Sequence, residues 1–262
     1  YIPLEDMVEE AFHTNEQTSR TLEYAFDDYA VAQMAKALHD SCQDAALRQK
    51  YLEDYNDLMR RSENWRNVIN PATGWADGRY ENGKWENNED LVHRKSYITE
   101  GATCHYTWYV PQNPEGLFEV IRNSKPMDKQ EKQIEKMERK MEKKGETPVR
   151  NEKVIARLDK MFDNGWYWHG NEPCHQVAYL YDAAGAPEKT QERVHHILQT
   201  EYNDTPGGLS GNDDAGQMSA WYVFSSIGFY PVCPGTPYYY IGTPSFDKVT
   251  LNLENGRKFI LS

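Results

Sequence analysis

Apolar residues along this chain recur mostly at helical spacing. From Ser19 to His39, Leu22, Ala25, Phe26, Tyr29 and Ala32, followed by Met34 or Ala35, make one stripe and predict a helix. Asp27 and Asp28 fall inside it and are read as solvent-facing, as mid-helix acids usually are. A second helix is expected over about residues 44–68, and the short break makes the two an antiparallel pair. Val154, Leu158 and Met161 start another core-facing helix. In the next, Pro173 suits the first position, Val177, Leu180, Tyr181 and Ala184 give the stripe, and Gly185 ends it. Pro187 opens one more, through Leu198. The chain is organised around residues 207–231, which pass from glycines through Asp213 and Asp214 into a helix. There Ala220, Val223, Phe224 and Ile227 fall at i, i+3, i+4 and i+7, with Met218, Trp221 and Tyr222 opposite. Apolar residues nearly all round predict a buried helix, stopped by Gly228 and Pro231.

Three stretches depart from this pattern. In residues 69–99, Pro71, Gly74, Gly78 and Gly83 break any helix, and GRYENGKWE reads as a hairpin turning at Asn82-Gly83. Residues 125–146 are dominated by Lys and Glu, with Met127, Ile134 and Met141 seven apart. They predict a charged, solvent-exposed helix or a partly disordered insertion, closed by Gly145. After Pro231, TPYYYIG, DKVTLNL and RKFILS read as strands. The last breaks off in mid-strand, which is expected of a piece of a domain more than of a whole one.

Composition narrows the classes of function. With 29 basic against 41 acidic residues, an acidic surface argues against nucleic acid or an anionic membrane as the main partner. No apolar run approaches 18 residues, so no membrane span is expected. An aromatic content of 13%, including 18 Tyr and 7 Trp, suits stacking on a polyhydroxylated ligand, although cores use aromatics too. Cys42, Cys104, Cys174 and Cys233 form no C-x-x-C, and their spacing shows no zinc or redox motif. The start at Tyr1 without Met points to processing or to a longer parent protein.

Candidate chemistry lies in three places. Asp213 and Asp214 stand where a helix begins: one reading is capping, the other a carboxylate kept ionised by the helix dipole as a general base, and both hold if Asp213 caps while Asp214 faces a site. Glu100 is flanked by Tyr97, Tyr106, Trp108 and Tyr109. It is either an exposed residue at a helix start or a desolvated carboxyl held protonated as a general acid. Trp168, His169, Asn171 and Glu172 precede a helix, where oxygen donors could hold a hard cation such as calcium or simply cap. His175 is read as a satisfied core histidine.

These residues lie in RTLEYAFDDYAVAQMAKAL, YITEGATCHYTWYVPQNPEGL, HGNEPCHQVAYLYDAAGAPEKTQ and GGLSGNDDAGQMSAWYVFSSIGFYPV, which occur in that order. In these motifs the chain resembles glycoside hydrolase family 92, the calcium-dependent exo-acting α-mannosidases, over most of its length outside residues 66–96 and 124–150. The resemblance implies a mainly α fold: residues 1–231 as part of an (α/α)6 barrel and residues 232–262 as the start of a C-terminal β segment. An N-terminal β-sandwich is expected elsewhere in the protein. It implies an inverting mechanism, with Glu100 protonating the departing oxygen and Asp214 activating water on the other face. The two carboxyls would then stand roughly 6.5–9.5 Å apart. It further implies calcium near Asn171 and Glu172, gripping mannose hydroxyls, and sugar contacts from Trp168, His169, Gly170, Asn212 and Asp213. A mannose-containing glycan as substrate and a secreted or periplasmic location follow. Departures from the family pattern are Asn212 in place of an acid, Ala102-Thr103-Cys104-His105 in place of Asn-Ala-Trp-Gln, and Gly170 where α-1,2 cutters carry Glu. Glu100 itself argues against a mannosyl phosphate substrate. The rival reading is a non-catalytic, sugar-binding remnant.

Overall fold

A computed structural model describes residues 1–7, 15–147 and 151–262. The fold is mainly α, and contacts divide it into two units, Tyr1–Tyr167 with Cys233–Pro237, and Trp168–Val232 with Tyr238–Ser262.

In the first unit, α1 (Gln17–Ser41) and α2 (Ala45–Arg61) form the expected pair. Asp44 ends the break between them, its carboxylate accepting from the N–H groups of Ala46 and Leu47, both at 2.9 Å. The α1 stripe buries Leu22, Ala25 and Ala32, and Ala35 rather than Met34 continues it. Asp28 corrects the sequence reading: it is buried, and its carboxylate meets Arg61 at 2.8 Å, tying α1 to α2. Past Arg61 the chain tightens into a 3-10 turn (Ser62–Asn67) that carries Trp65 fully inside.

Strands β1 (Ile69–Asn70) and β2 (Trp75–Ala76) make a short antiparallel hairpin that the sequence did not announce. Its turn needs Gly74, at φ 71°, because a Cβ there would stand 2.8 Å from an Arg157 nitrogen and 3.2 Å from the Ile121 backbone. The expected turn at Asn82-Gly83 is present, with Gly83 at φ 81°, but only Arg79 and Trp85 bridge across it. Helices α3 (Thr103–Tyr106), α4 (Pro114–Asn123), α5 (Lys129–Lys143) and α6 (Glu152–Asp163) follow.

The charged stretch is thus an ordered helix, α5, with an anchor inside the unit. Asp128 caps it by accepting from the Glu131 N–H at 3.0 Å, and Glu131 reaches back to the Met127 N–H at 3.0 Å. The Glu131 carboxylate, fully buried, also takes the Arg157 guanidinium of α6 through Nε at 3.0 Å and Nη2 at 3.2 Å. Arg157 spends its other donors on Thr73 O and Ser124 Oγ and lies over the Trp75 ring. Of the three apolar residues seven apart, Ile134 is buried, against the solvent-exposed reading, whereas Met127 is exposed.

In the second unit the helix expected from Pro173 is broken. Two 3-10 turns, Glu172–Cys174 and Val177–Tyr179, lead into the short α7 (Leu180–Ala184), ended by Gly185 at φ 90°. Then come α8 (Pro187–Thr200) and α9 (Gln217–Ile227). Helix α9 is not buried all round. Met218, Trp221 and Ser225 face inward, while Ala220 and Val223 are exposed and Phe224 and Ile227 only half-buried. A serine lies inside because the Tyr179 hydroxyl bonds Ser225 Oγ at 2.8 Å, so the buried face is less apolar than the exposed one. Strands β3 (Phe229–Tyr230) and β4 (Tyr240–Ile241) pair antiparallel, as do β5 (Val249–Asn252) and β6 (Lys258–Leu261).

Candidate active site

Glu100 belongs to the first unit, on a loop pinned at both ends. Upstream, Tyr97 O accepts from the Thr18 N–H at 3.0 Å, satisfying a free donor at the start of α1, and Ser19 Oγ accepts from the Thr99 N–H at 2.9 Å. Downstream, the Ala102 N–H donates to His105 Nδ1 at 3.1 Å. His105 Nε2 lies 2.9 Å from Trp166 O, an atom that only accepts, so Nε2 carries the proton and the ring is held neutral by burial. Between these fixings Glu100 adopts φ 50°, a left-handed conformation that costs a side-chain-bearing residue about 1–2 kcal/mol.

The expected aromatic enclosure of Glu100 is not there. Its side chain is exposed and makes no hydrogen bond or ion pair among the described residues, whereas Tyr97, Tyr106 and Trp108 are buried. The carboxyl that is desolvated beside one of these rings, Tyr106, is Glu23 of α1. Tyr106 donates to it at 2.9 Å, and burial raises its pKa despite that bond, with Asp27 adding to the rise. Sequence reasoning missed Glu23 because its partner lies 83 residues away.

Asp213 and Asp214 belong to the second unit, and of the two roles the sequence left open the cap falls to Asp213. Asp213 Oδ1 accepts from the Ser219 N–H at 2.9 Å, so it caps a first-turn donor of α9 from ahead of the helix. Asp214 is exposed, and its carboxylate makes no hydrogen bond or ion pair among the described residues. Its φ is 43°, that of Ala215 is 56° and that of Gly216 is 95°, three consecutive left-handed residues of which only the last is glycine. Such runs are disfavoured for L-residues, and this one turns the Asp214 side chain out of the helix that Asp213 caps. Asn212 is exposed beside them.

The segment from Trp168 lies in the same unit. Gly170 and Gly211 touch backbone to backbone: a Cβ on Gly211 would meet Gly170 O at 2.2 Å, and one on Gly170 would meet Ser210 O at 2.6 Å. This contact brings the segment beside the loop that ends in Asp213 and Asp214. Trp168 is exposed, but His169 is buried and does not line an open surface. Its ring stacks on His175 at 4.8 Å and meets Trp221 edge-on at 4.4 Å, while Nε2 donates to the Tyr202 hydroxyl at 2.6 Å, which in turn donates to Met218 O. Burial, with His175 as neighbour, depresses the His169 pKa to about 3. His175 is the satisfied core histidine expected. Burial lowers its pKa to about 4, against the bond to His169 O and the charge of Asp214, which both raise it. Asn171 is buried and Glu172 half-buried. Among the described residues no group of three or more His, Cys, Asp or Glu is placed to hold a metal. Asn171 and Glu172 are two oxygen donors against the six to eight that calcium takes, so these residues alone do not make its site.

The two units therefore each present one exposed carboxylate, without a hydrogen bond or ion pair among the described residues, on a left-handed backbone. Residues 1–262 match the glycosyl hydrolase family 92 catalytic domain. The α-mannosidase BT3965 of Bacteroides thetaiotaomicron, solved with mannoimidazole, superposes with a TM-score of 0.74 at 34% identity, over 94% of this chain and 30% of that one. The inverting mannosidase BT2199 of the same organism gives 0.71 at 32% identity, over 96% and 33%. An uncharacterized secreted glycosidase of Arthroderma benhamiae is 29% identical over 261 residues, 91% of this chain and 29% of the relative. The chain thus spans about a third or less of the length of these proteins. Matched from its first residue to its last, it belongs to glycosyl hydrolase family 92.

Proposed function

We propose that the protein containing this chain is an inverting exo-α-mannosidase that removes terminal α-linked mannose from glycans. Glu100 gives its proton to the glycosidic oxygen as the C–O bond breaks, and Asp214 takes a proton from the water that attacks the anomeric carbon from the opposite face. One observation supports this reading above the others. Of the five non-glycine residues with left-handed φ among those described, two are Glu100 and Asp214. Strain of about 1–3 kcal/mol at each survives where function requires it, and here it holds two otherwise unengaged carboxylates outward. The names of the similar structures, an α-mannosidase and an inverting mannosidase, agree in reaction and stereochemistry. Trp168 and Asn212, both exposed, are assigned to sugar contact, and Asp213 to holding the turn. Calcium, whose site Asn171 and Glu172 would fill only in part, is proposed to complete its coordination with water, sugar hydroxyls or residues outside this chain. The secreted relative supports a location outside the cell, and an N-terminal β-sandwich is proposed for part of the remaining length.

The test is NMR of the first-formed sugar from an aryl α-mannoside. Inversion gives β-mannose before mutarotation. α-Mannose as first product contradicts the two roles, and saturable binding without release supports the sugar-binding remnant.

A further inference from the structure

The amide of Gln217, the first residue of α9, has its orientation dictated from inside the fold. His175 Nε2 lies 3.0 Å from His169 O, an atom that only accepts, so Nε2 bears the proton. The ring is buried, and with its proton on Nε2 its Nδ1 is left as an acceptor. Gln217 Nε2 stands 3.2 Å from that Nδ1 and must donate to it. The same nitrogen is 3.2 Å from the Tyr230 hydroxyl, so both amide hydrogens are spent inward. The His175 carbonyl accepts from Trp221 Nε1 at 2.9 Å, which fixes the imidazole in turn. Oε1 is the remaining end of the amide. It accepts no hydrogen bond among the described residues, and Gln217 is only half-buried. Asp214 is close on the same end of the helix: its carbonyl accepts from the Gln217 N–H at 3.2 Å, and its charge reaches His175.

We propose that Gln217 Oε1 is a preset acceptor for a hydroxyl hydrogen at the acidic turn, supplied by the attacking water or by a sugar hydroxyl. The inference rests on Asp214 as the base. Water has two hydrogens. One passes to the Asp214 carboxylate as the oxygen bonds to the anomeric carbon and the leaving oxygen departs with the Glu100 proton. The other stays on the oxygen and points at Gln217, which aims the lone pair at carbon. Gln217 is thus a positioning residue that acts through the water, and for a sugar hydroxyl it would be a binding one.

Two variants and one spectrum test this. Gln217→Met keeps the length and removes the acceptor, whereas Gln217→Glu keeps acceptor oxygens and loses the donors to His175 and Tyr230. For water, Gln217→Met lowers kcat about tenfold or more, the worth of one such hydrogen bond, with KM unchanged. For a sugar hydroxyl, KM rises as well. Gln217→Glu recovers part of the loss in either case. A purely structural role predicts no recovery, because Glu breaks the inward bonds as Met does. Folded variants with kcat and KM within twofold of the unaltered protein, or a Glu variant no better than Met, overturn the inference. Independently of turnover, the ¹⁵N spectrum of His175 should show the Nε2–H tautomer. The Nδ1–H tautomer would turn Oε1 inward and overturn the inference even in an active enzyme. An unaltered protein that has the expected tautomer and releases no mannose overturns the mannosidase reading, and this one falls with it.

Discussion

Replacing Glu131 by Gln removes one charge at the point where α5 meets α6. Glu131 and Arg157 are each 0% exposed and joined by two hydrogen bonds, so the change leaves a guanidinium inside the unit without its counter-ion. Breaking one partner of such a pair costs about 3–5 kcal/mol, far above the ~0–1 kcal/mol of a surface pair. Thr73 O, Ser124 Oγ and the Trp75 ring remain around Arg157, which argues for the lower end, about 3 kcal/mol. Lys160, 3.6 Å from the same carboxylate, keeps its 2.7 Å pair with Asp128 and adds little. Urea unfolding followed by tryptophan fluorescence reads the loss as a lower midpoint at constant slope. The double variant Glu131→Leu, Arg157→Met should recover most of the stability, because an apolar pair needs no desolvated charge. A loss below about 1 kcal/mol for Glu131→Gln would mean that the charged helix is a solvated appendage after all.

Further predictions concern acid, base and strain. Burial pushes Asp182 up to about 6, partly offset by the Thr190 hydroxyl, so the folded state holds that proton more tightly than the unfolded one. Its contribution therefore falls as pH rises from about 4 through 6. Asp182→Asn should gain about 1–2 kcal/mol at pH 7.5, after discounting for the solvent-reached part of the side chain, and nothing at pH 4. A gain that does not vary with pH contradicts this. His169 and His175 act in the opposite sense: with folded pKa values of about 3 and about 4, the unfolded chain binds more protons below about 6.5. Acid unfolding should thus begin near pH 6, and His169→Gln should shift the stability–pH curve there; a curve unchanged in that variant refutes it. Ala215→Gly relieves about 1–2 kcal/mol of left-handed strain and adds about 0.5–1 kcal/mol of chain entropy to the unfolded state. Thermal melting should rise by a few degrees, and a fall would show that the turn is not strained.

Much of this was legible in the sequence. Helix positions followed from apolar spacing, and the stops at Gly185 and Gly228 from the left-handed caps they adopt. The Asp213 cap could be read locally, since a cap and its N–H lie six residues apart. Long-range pairing could not. Asp28 meeting Arg61, Glu131 meeting Arg157 and Tyr106 choosing Glu23 over Glu100 each join residues 26 or more apart, where spacing carries no signal. The anchored end of α5 did leave a local trace, Asp128-x-x-Glu131, which is the pattern of a capping box. Helix α9 misled for a different reason. Its best apolar stripe is exposed at Ala220 and Val223 and half-buried at Phe224 and Ile227, and the inward face includes Ser225 because Tyr179 supplies a partner for it.

The roles of Glu100 and Asp214 are tested most directly by leaving-group dependence. Glu100→Gln should abolish release from an alkyl α-mannoside, whose leaving oxygen needs a proton. It should spare dinitrophenyl α-mannoside, whose leaving group does not, while Asp214→Asn should lose both. Equal loss on the two substrates in Glu100→Gln, or an active Asp214→Asn, would contradict the assignment.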